Sequence, residues 1–114
     1  MPDRRGEDRF ALVARLPVED ADSGVTLGEL IDISAHGLML SAAEPLELHR
    51  RYRMRVATPA ELSGALEVSA EAAWSVRALN PAGHRIGFRD LATAPGEEKV
   101  LDRLIEHCYA VTGP

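Results

Sequence analysis

The residues with the clearest capacity for chemistry lie in the stretch DISAHG, where Asp32, Ser34 and Gly37 follow the spacing D-x-S-x-x-G. An ionised carboxylate accepts hydrogen bonds, and a hydroxyl both accepts and donates them. Because Asp32 and Ser34 are two residues apart, a strand would point both side chains to the same face. Two interpretations follow: a turn stabilised by polar side chains, or a polar ligand site in which Gly37 permits an unusual backbone or a close approach.

A second polar cluster, RRGEDR at residues 4–9, carries three guanidinium groups. Arg5 and Arg9 are four residues apart, and Arg4 lies beside them. Guanidinium groups bind phosphate and guanine through paired donors. The interleaved acidic residues balance the local charge, so the cluster is either a solvated charge run or an anion site. Residues 1–9 offer almost nothing to bury, and we predict a flexible arm there.

Hydrophobic periodicity predicts the elements that must position these residues. Apolar and polar residues alternate over five segments: 10–18, 25–33, 52–57, 66–76 and 84–91. A sixth segment, 38–41, is a short apolar run. Period-two alternation is typical of half-buried strands. Six such strands separated by turn residues favour a small antiparallel barrel or sandwich. In the second strand, Ile31 and Ile33 are predicted to face the core, opposite Asp32 and Ser34.

The last apolar segment changes to a helical period. Its apolar stripe is formed by Val100, Leu101, Leu104, Ile105 and Cys108, which is typical of an amphipathic helix. Proline suits the first helical turn and acidic residues suit the positive end of the helix dipole, as at Pro95, Glu97 and Glu98. We predict a helix over about 95–110 that packs on a barrel of about 10–92, within one domain spanning 1–114.

Composition excludes several classes of function. The formal net charge of −5 argues against binding to nucleic acid polymers or anionic membranes. No stretch approaches the roughly 20 apolar residues of a membrane span, and the N-terminus has no apolar signal core, so we predict a cytoplasmic protein. The four histidines lack metal-ligand spacing, and Ser34 has no evident His and acid partners. We therefore expect no catalytic residue, no metal and no cofactor.

Taken together, R-x-x-x-R before the first strand and D-x-S-x-x-G at the end of the second resemble the PilZ domain family. The later segments AEAAW and RIGFRDL and the closing helix also fit, so the resemblance covers nearly all of 4–110. It implies a six-stranded antiparallel β-barrel with a C-terminal α-helix. It also implies a non-enzymatic receptor for the bacterial second messenger cyclic di-GMP, whose binding would alter a surface recognised by an unidentified protein effector.

The resemblance implies a role for each motif residue. Arg5 and Arg9 would contact the phosphates and guanines of cyclic di-GMP. Asp32 and Ser34 would hydrogen-bond guanine edges, and Gly37 would keep the turn open.

Two further residues are implied less directly by the resemblance. Arg4, just before the first motif arginine, resembles the type that favours an intercalated pair of ligand molecules over a single one. Trp74 lies near a position where some family members stack a tryptophan on guanine. Its sequence parity matches Leu66, Val68 and Ala72, which favours the alternative that Trp74 is a core side chain.

Other interpretations stay open at this point. The chain could be a ligand-independent adaptor on the same fold, acting through protein contacts alone. It could also be a small barrel that binds nucleic acid through its arginines, which the acidic net charge opposes. The alternating arginines of residues 51–55 are either a second anion or docking surface or, as we predict, a solvated strand face.

Overall fold

The computed structural model describes residues 10–58, 66–79 and 82–112, with side chains described for 16–58, 66–79 and 83–106. It contains six strands and one helix: β1 Phe10–Asp20, β2 Thr26–Ile33, β3 Leu38–Ala42, β4 Arg51–Val56, β5 Leu66–Leu79, β6 Ala82–Thr93 and α1 Glu98–Thr112. The strands are antiparallel and close into a barrel in the order β1-β2-β3-β6-β5-β4. The predicted fold class is confirmed.

The barrel interior is built by strict alternation where the strands are regular. In β4, Tyr52, Met54 and Val56 are buried, and the intervening arginines are exposed. Leu101 and Leu104 of α1 complete the core with side chains at 7% and 0% exposure. Burial of such aliphatic side chains is worth about 1.5–3 kcal/mol each, so the helix is part of the folded unit.

The arginine face of β4 is matched by neighbouring polar groups. Arg53 forms ion pairs with Asp22 at 2.7 Å and Glu67 at 2.9 Å. Arg55 pairs with Glu19 at 3.1 Å, and Arg51 donates to Ser69. These contacts support the predicted solvated strand face over a second anion site.

A register shift in β2 changes one of the predicted faces. Leu30 pairs with Leu40 and Asp32 pairs with Met39, so Ile31 is an extra residue on β2. Such a bulge interrupts the alternation of faces locally. Leu30 and Ile33 are fully buried, whereas Ile31 is only half-buried. The prediction was right for Ile33 and wrong for Ile31.

Another of the register shifts, between Ala72 and Trp74 of β5, has a larger consequence. Ala72 pairs with Phe88 and Trp74 pairs with Gly87, which leaves Ala73 as the extra residue. Ala72 is fully buried, whereas Trp74 is 39% exposed and Val76 is 53% exposed. The interpretation of Trp74 as a core side chain, which its sequence parity favoured, is wrong, because the bulge reverses the faces of the residues that follow it in β5.

The helix begins three residues later and ends two residues later than predicted. Pro95 lies in the turn before α1 rather than in its first turn. Glu97 also precedes the helix, and its Oε1 accepts the Glu67 N–H at 2.7 Å, which ties this turn to β5. Glu98 lies in the first helical turn, where its negative charge is favourable. The predicted core position of Cys108 lies outside the described side chains.

The turn after β1 is stabilised by a carboxylate. Asp20 Oδ1 accepts the backbone N–H groups of Asp22 at 2.8 Å and Ser23 at 3.1 Å. These hydrogen bonds lower the pKa of the Asp20 carboxyl below its ordinary value of 3.8. A carboxyl whose pKa is lowered by folding adds stability above its unfolded pKa and loses it as the pH falls through its folded pKa. The turn therefore stabilises the fold least in acid.

Candidate ligand-binding face

The D-x-S-x-x-G stretch forms the tight turn from β2 into β3. The Ser34 N–H donates to the Gly37 carbonyl at 2.9 Å, and the His36 N–H donates to Ser34 Oγ at 3.3 Å. The Ser34 hydroxyl in turn donates to the Gly37 carbonyl at 3.4 Å. The Leu91 N–H donates to the His36 carbonyl at 3.1 Å, which ties the turn to β6. Ser34 therefore stabilises the turn, and its hydroxyl keeps the capacity to accept one further hydrogen bond.

Gly37 is required by the close approach of β6. A Cβ atom at this position would stand 2.3 Å from the carbonyl oxygen of Phe88, a distance at which the backbone must shift. Of the two uses foreseen for this glycine, the close approach is the one that the structure shows.

Gly37→Ala is expected to lower the free energy of unfolding by about 1–3 kcal/mol, because overpacking against backbone forces atoms apart. Urea denaturation measures this change. Ala35→Ser, at an exposed position of the same turn, is the matched control and should stay within about 0.5 kcal/mol of the parent. Equal stability of the Gly37→Ala variant and the parent would contradict the close-approach explanation.

Asp32 belongs to a row of paired residues that crosses four neighbouring strands. Asp32 pairs with Met39 of β3, Met39 pairs with Gly87 of β6, and Gly87 pairs with Trp74 of β5. Directly paired residues share a face of the sheet. Their flanking residues on β2, β3 and β6 point into the core: Ile33, Leu38, Leu40, Ile86 and Phe88. The row therefore lies on the outside of the barrel, and three strand spacings separate the Asp32 and Trp74 backbones by about 14 Å.

The indole of Trp74 covers Gly87. A Cβ atom at Gly87 would stand 2.1–2.4 Å from three ring atoms of Trp74, so the ring occupies the space that any side chain there would need. Trp74 as a whole is nevertheless 39% exposed. An indole held over backbone and open to solvent offers a planar surface on which a nucleobase can stack.

Sequence reasoning missed Arg85, which lies two residues from Gly87 on the same outer face. This side chain is half-buried, and its Nη1 donates to Ser41 Oγ at 3.1 Å. This contact holds its guanidinium group toward β3 on the outer face. The alternation that predicted inward-facing Ile86 and Phe88 also predicts an outward-facing Arg85, so the information was present in the sequence.

Arg4, Arg5 and Arg9 lie outside the described residues. Arg9 is bonded to Phe10, the first residue of β1, and the Phe10 backbone pairs with Ile33 at the end of β2. The chain therefore enters the barrel beside the turn that carries Ser34. Asp32 itself is half-buried, and its Oδ1 atom is buried.

In 10–58, 66–79 and 82–112 no group of three or more His, Cys, Asp or Glu residues could hold a metal ion. The described part of the chain also has no helix with the length and hydrophobicity that crossing a membrane requires.

Comparison with known proteins places this architecture in a family. The PilZ domain family matches residues 3–107, whereas no curated protein matches the chain. Among solved structures, the chain is similar to the inhibitor of motility MotI/DgrA of Bacillus subtilis, with a TM-score of 0.71 and 18% identity. That match covers 97% of this chain and 52% of the other, so the chain spans about half the length of that protein. At this identity the structural match shows the fold, and the family match covers most of the sequence: the chain belongs to the PilZ domain family.

Proposed function

We propose that the protein is a receptor for cyclic di-GMP. The observation that carries the proposal is the outer row from Asp32 to Trp74, which joins a carboxylate and an exposed indole on one face. The chain enters the barrel beside this row at Phe10, directly after the arginine segment, residues 4–9. Family membership supports the same ligand.

The chemistry of this face suits guanine. Because its Oδ1 is buried, an ionised Asp32 can accept a hydrogen bond from guanine N1–H or N2–H₂ through Oδ2. The Ser34 hydroxyl can accept one more donor without giving up the turn. Trp74 can stack on a base, and Arg85 can bind a phosphate or a base edge. We assign these four residues to the barrel side of the site, with Gly37 holding the turn against β6.

The arginine segment supplies the cations for this dianionic ligand. We assign Arg5 and Arg9 to the phosphates and guanines, because a guanidinium group binds guanine O6 and N7 or a phosphate with parallel donors. Ordering the backbone of each residue costs on the order of 1–2 kcal/mol. Several contacts must therefore form together, and the segment would close over the ligand as a unit.

Ligand binding would be converted into an altered surface that a protein effector recognises. We propose a non-enzymatic adaptor role in the cytoplasm, where an intracellular second messenger is available.

Isothermal titration calorimetry with cyclic di-GMP tests the receptor function directly. We expect saturable heat with micromolar or tighter affinity. Raised salt should weaken the binding of cyclic di-GMP less than it weakens the binding of single-stranded DNA. The absence of heat would overturn the receptor proposal and favour the ligand-independent adaptor. A steep salt dependence for DNA with no preference for cyclic di-GMP would favour nucleic acid binding.

Arg4→Leu is expected to lower the ligand-to-protein ratio from about two toward one, because a guanidinium group beside Arg5 can stack on or bond to a second guanine. The ratio is measured by the same calorimetry, with the active protein fraction determined independently. Arg55→Ala, which removes an exposed arginine paired with Glu19, is the control and should keep the parent ratio. An unchanged ratio in Arg4→Leu would refute binding of an intercalated pair.

A further inference from the structure

The outer half of β5 extends past its neighbour β4. The β4–β5 pairing reaches Arg51 and Glu71, and Ala72 makes two more backbone hydrogen bonds, to His49 and Arg50. Beyond that point, residues 74–79 pair with β6 on one side. No other strand of the described residues pairs with residues 73–79 on the opposite side. We call this opposite side, Ala73–Leu79, the free edge.

The free edge is apolar and poorly protected. Trp74, Val76 and Leu79 are 39%, 53% and 87% exposed, and Arg77 is the one charged residue among the seven. Natural sheets usually block an open edge with lysines, prolines or inward-pointing charges, because unpaired N–H and C=O groups template pairing with another strand. An exposed edge of this composition fits a protein contact.

We propose that the free edge pairs antiparallel with the free edge of a second copy of this chain, with the two-fold axis at Val76. This register places a large residue opposite a small one along the edge. Leu79 lies opposite Ala73 of the partner subunit, Trp74 opposite Ala78 of the partner subunit, and Arg77 opposite Ser75 of the partner subunit. Cross-strand pairs of this kind contribute about 0.2–1 kcal/mol each.

The two neighbouring two-fold registers are disfavoured. An axis at Arg77 would put two guanidinium groups directly opposite each other, which is destabilising. An axis at Ser75 would bring the second copy alongside Ala72, whose N–H and carbonyl already bind Arg50 and His49, just before β4. With the axis at Val76, the paired segment ends at Ala73, the first residue beyond that contact.

The positive charge of this region suggests one competing partner for the free edge. The segment 72–88 contains Arg77, His84 and Arg85 and no Asp or Glu, although the whole chain holds 18 acidic residues. An acidic extended segment of another protein could therefore pair with the same edge. Self-pairing accounts for the order of large and small residues along the free edge, whereas charge alone does not. We therefore infer that a second copy of this chain occupies the free edge.

Site-specific cross-linking without cyclic di-GMP tests the register, in a Cys108→Ser background that removes the chain's one cysteine. Val76→Cys should form a disulfide-linked dimer under mild oxidation. Residues paired across the axis have Cα atoms about 4.5–5.5 Å apart, within the range for a disulfide. Arg77→Cys is the matched control, since the same register holds its two sulfurs too far apart. Equal cross-linking of both variants, or none at Val76, would overturn the proposal.

Sedimentation velocity over a dilution series tests the dimer itself. The parent should show a concentration-dependent dimer, and Val76→Lys should be monomeric, because it places two ammonium groups opposite each other. Val25→Lys is the control, since Val25 is 61% exposed but lies outside β5, and it should dimerise like the parent. A parent that stays monomeric at every concentration would overturn self-pairing, whatever the result with cyclic di-GMP. The acidic partner would then become the better hypothesis.

Discussion

Replacing Arg5 or Arg9 with alanine is expected to weaken cyclic di-GMP binding by at least about fivefold, and to abolish it if the arginine segment closes as a unit. A bidentate guanidinium contact contributes about 1–3 kcal/mol, and 1.4 kcal/mol corresponds to a factor of ten. Loss of one contact also removes part of the energy that offsets ordering of the segment. Calorimetry measures the affinity, and far-ultraviolet circular dichroism should show an unchanged fold, since both residues precede the first strand.

Two comparison variants make this result specific. Arg55→Ala removes an exposed arginine of β4 and should leave the affinity unchanged. Ser34→Ala should reduce affinity less than either arginine variant and should also lower the free energy of unfolding, because the Ser34 hydroxyl bridges His36 and Gly37. If Arg5→Ala or Arg9→Ala unfolded the protein, the arginine segment would be structural and its assignment to the ligand would be wrong.

Gly87→Ala is expected to displace the Trp74 indole, with a loss of about 1–3 kcal/mol of stability and weaker ligand binding. The nearest atoms to the added Cβ all belong to the ring of Trp74, so the ring must leave the position over β6. Urea denaturation measures the stability, and calorimetry measures the affinity.

A double-mutant cycle separates the ring from other causes of this loss. In a Trp74→Ala background, Gly87→Ala should have little effect on stability, because the atoms with which it clashes are gone. The coupling energy between two residues in contact is typically 0.5–3 kcal/mol. An equal loss in both backgrounds would mean that Gly87 is required by something other than Trp74, and the proposed stacking platform would lose its structural basis.

Local patterns predicted most of the architecture. The alternation in β4 predicted its inward-facing residues correctly, namely Tyr52, Met54 and Val56. It did so because successive side chains of a regular strand point to opposite faces of the sheet. The prediction that Asp32 and Ser34 act together with the arginine segment came from two short motifs with a defined order and spacing. The assignment of the ligand residues among them stays a prediction.

Two of the register shifts account for the strand faces that sequence periodicity assigned wrongly. Each inserts one residue, at Ile31 and Ala73, and reverses the faces that follow. Leu30, an apolar residue on the polar side of the pattern, gave some indication of the first bulge. The second left no trace, since Trp74 and Val76 are apolar and fit a core position equally well. The row from Asp32 to Trp74 could not be predicted either, because it depends on the register of four strands.

The exposed indole over Gly87 also gives the protein a built-in optical reporter. Trp74 is the chain's one tryptophan, so ultraviolet emission excited at the indole band comes from a single known position on the outer face. A base stacked on the ring would quench that emission, and transfer of the ring out of water would shift it to shorter wavelength. Events on this face can therefore be followed without a label, in the native sequence.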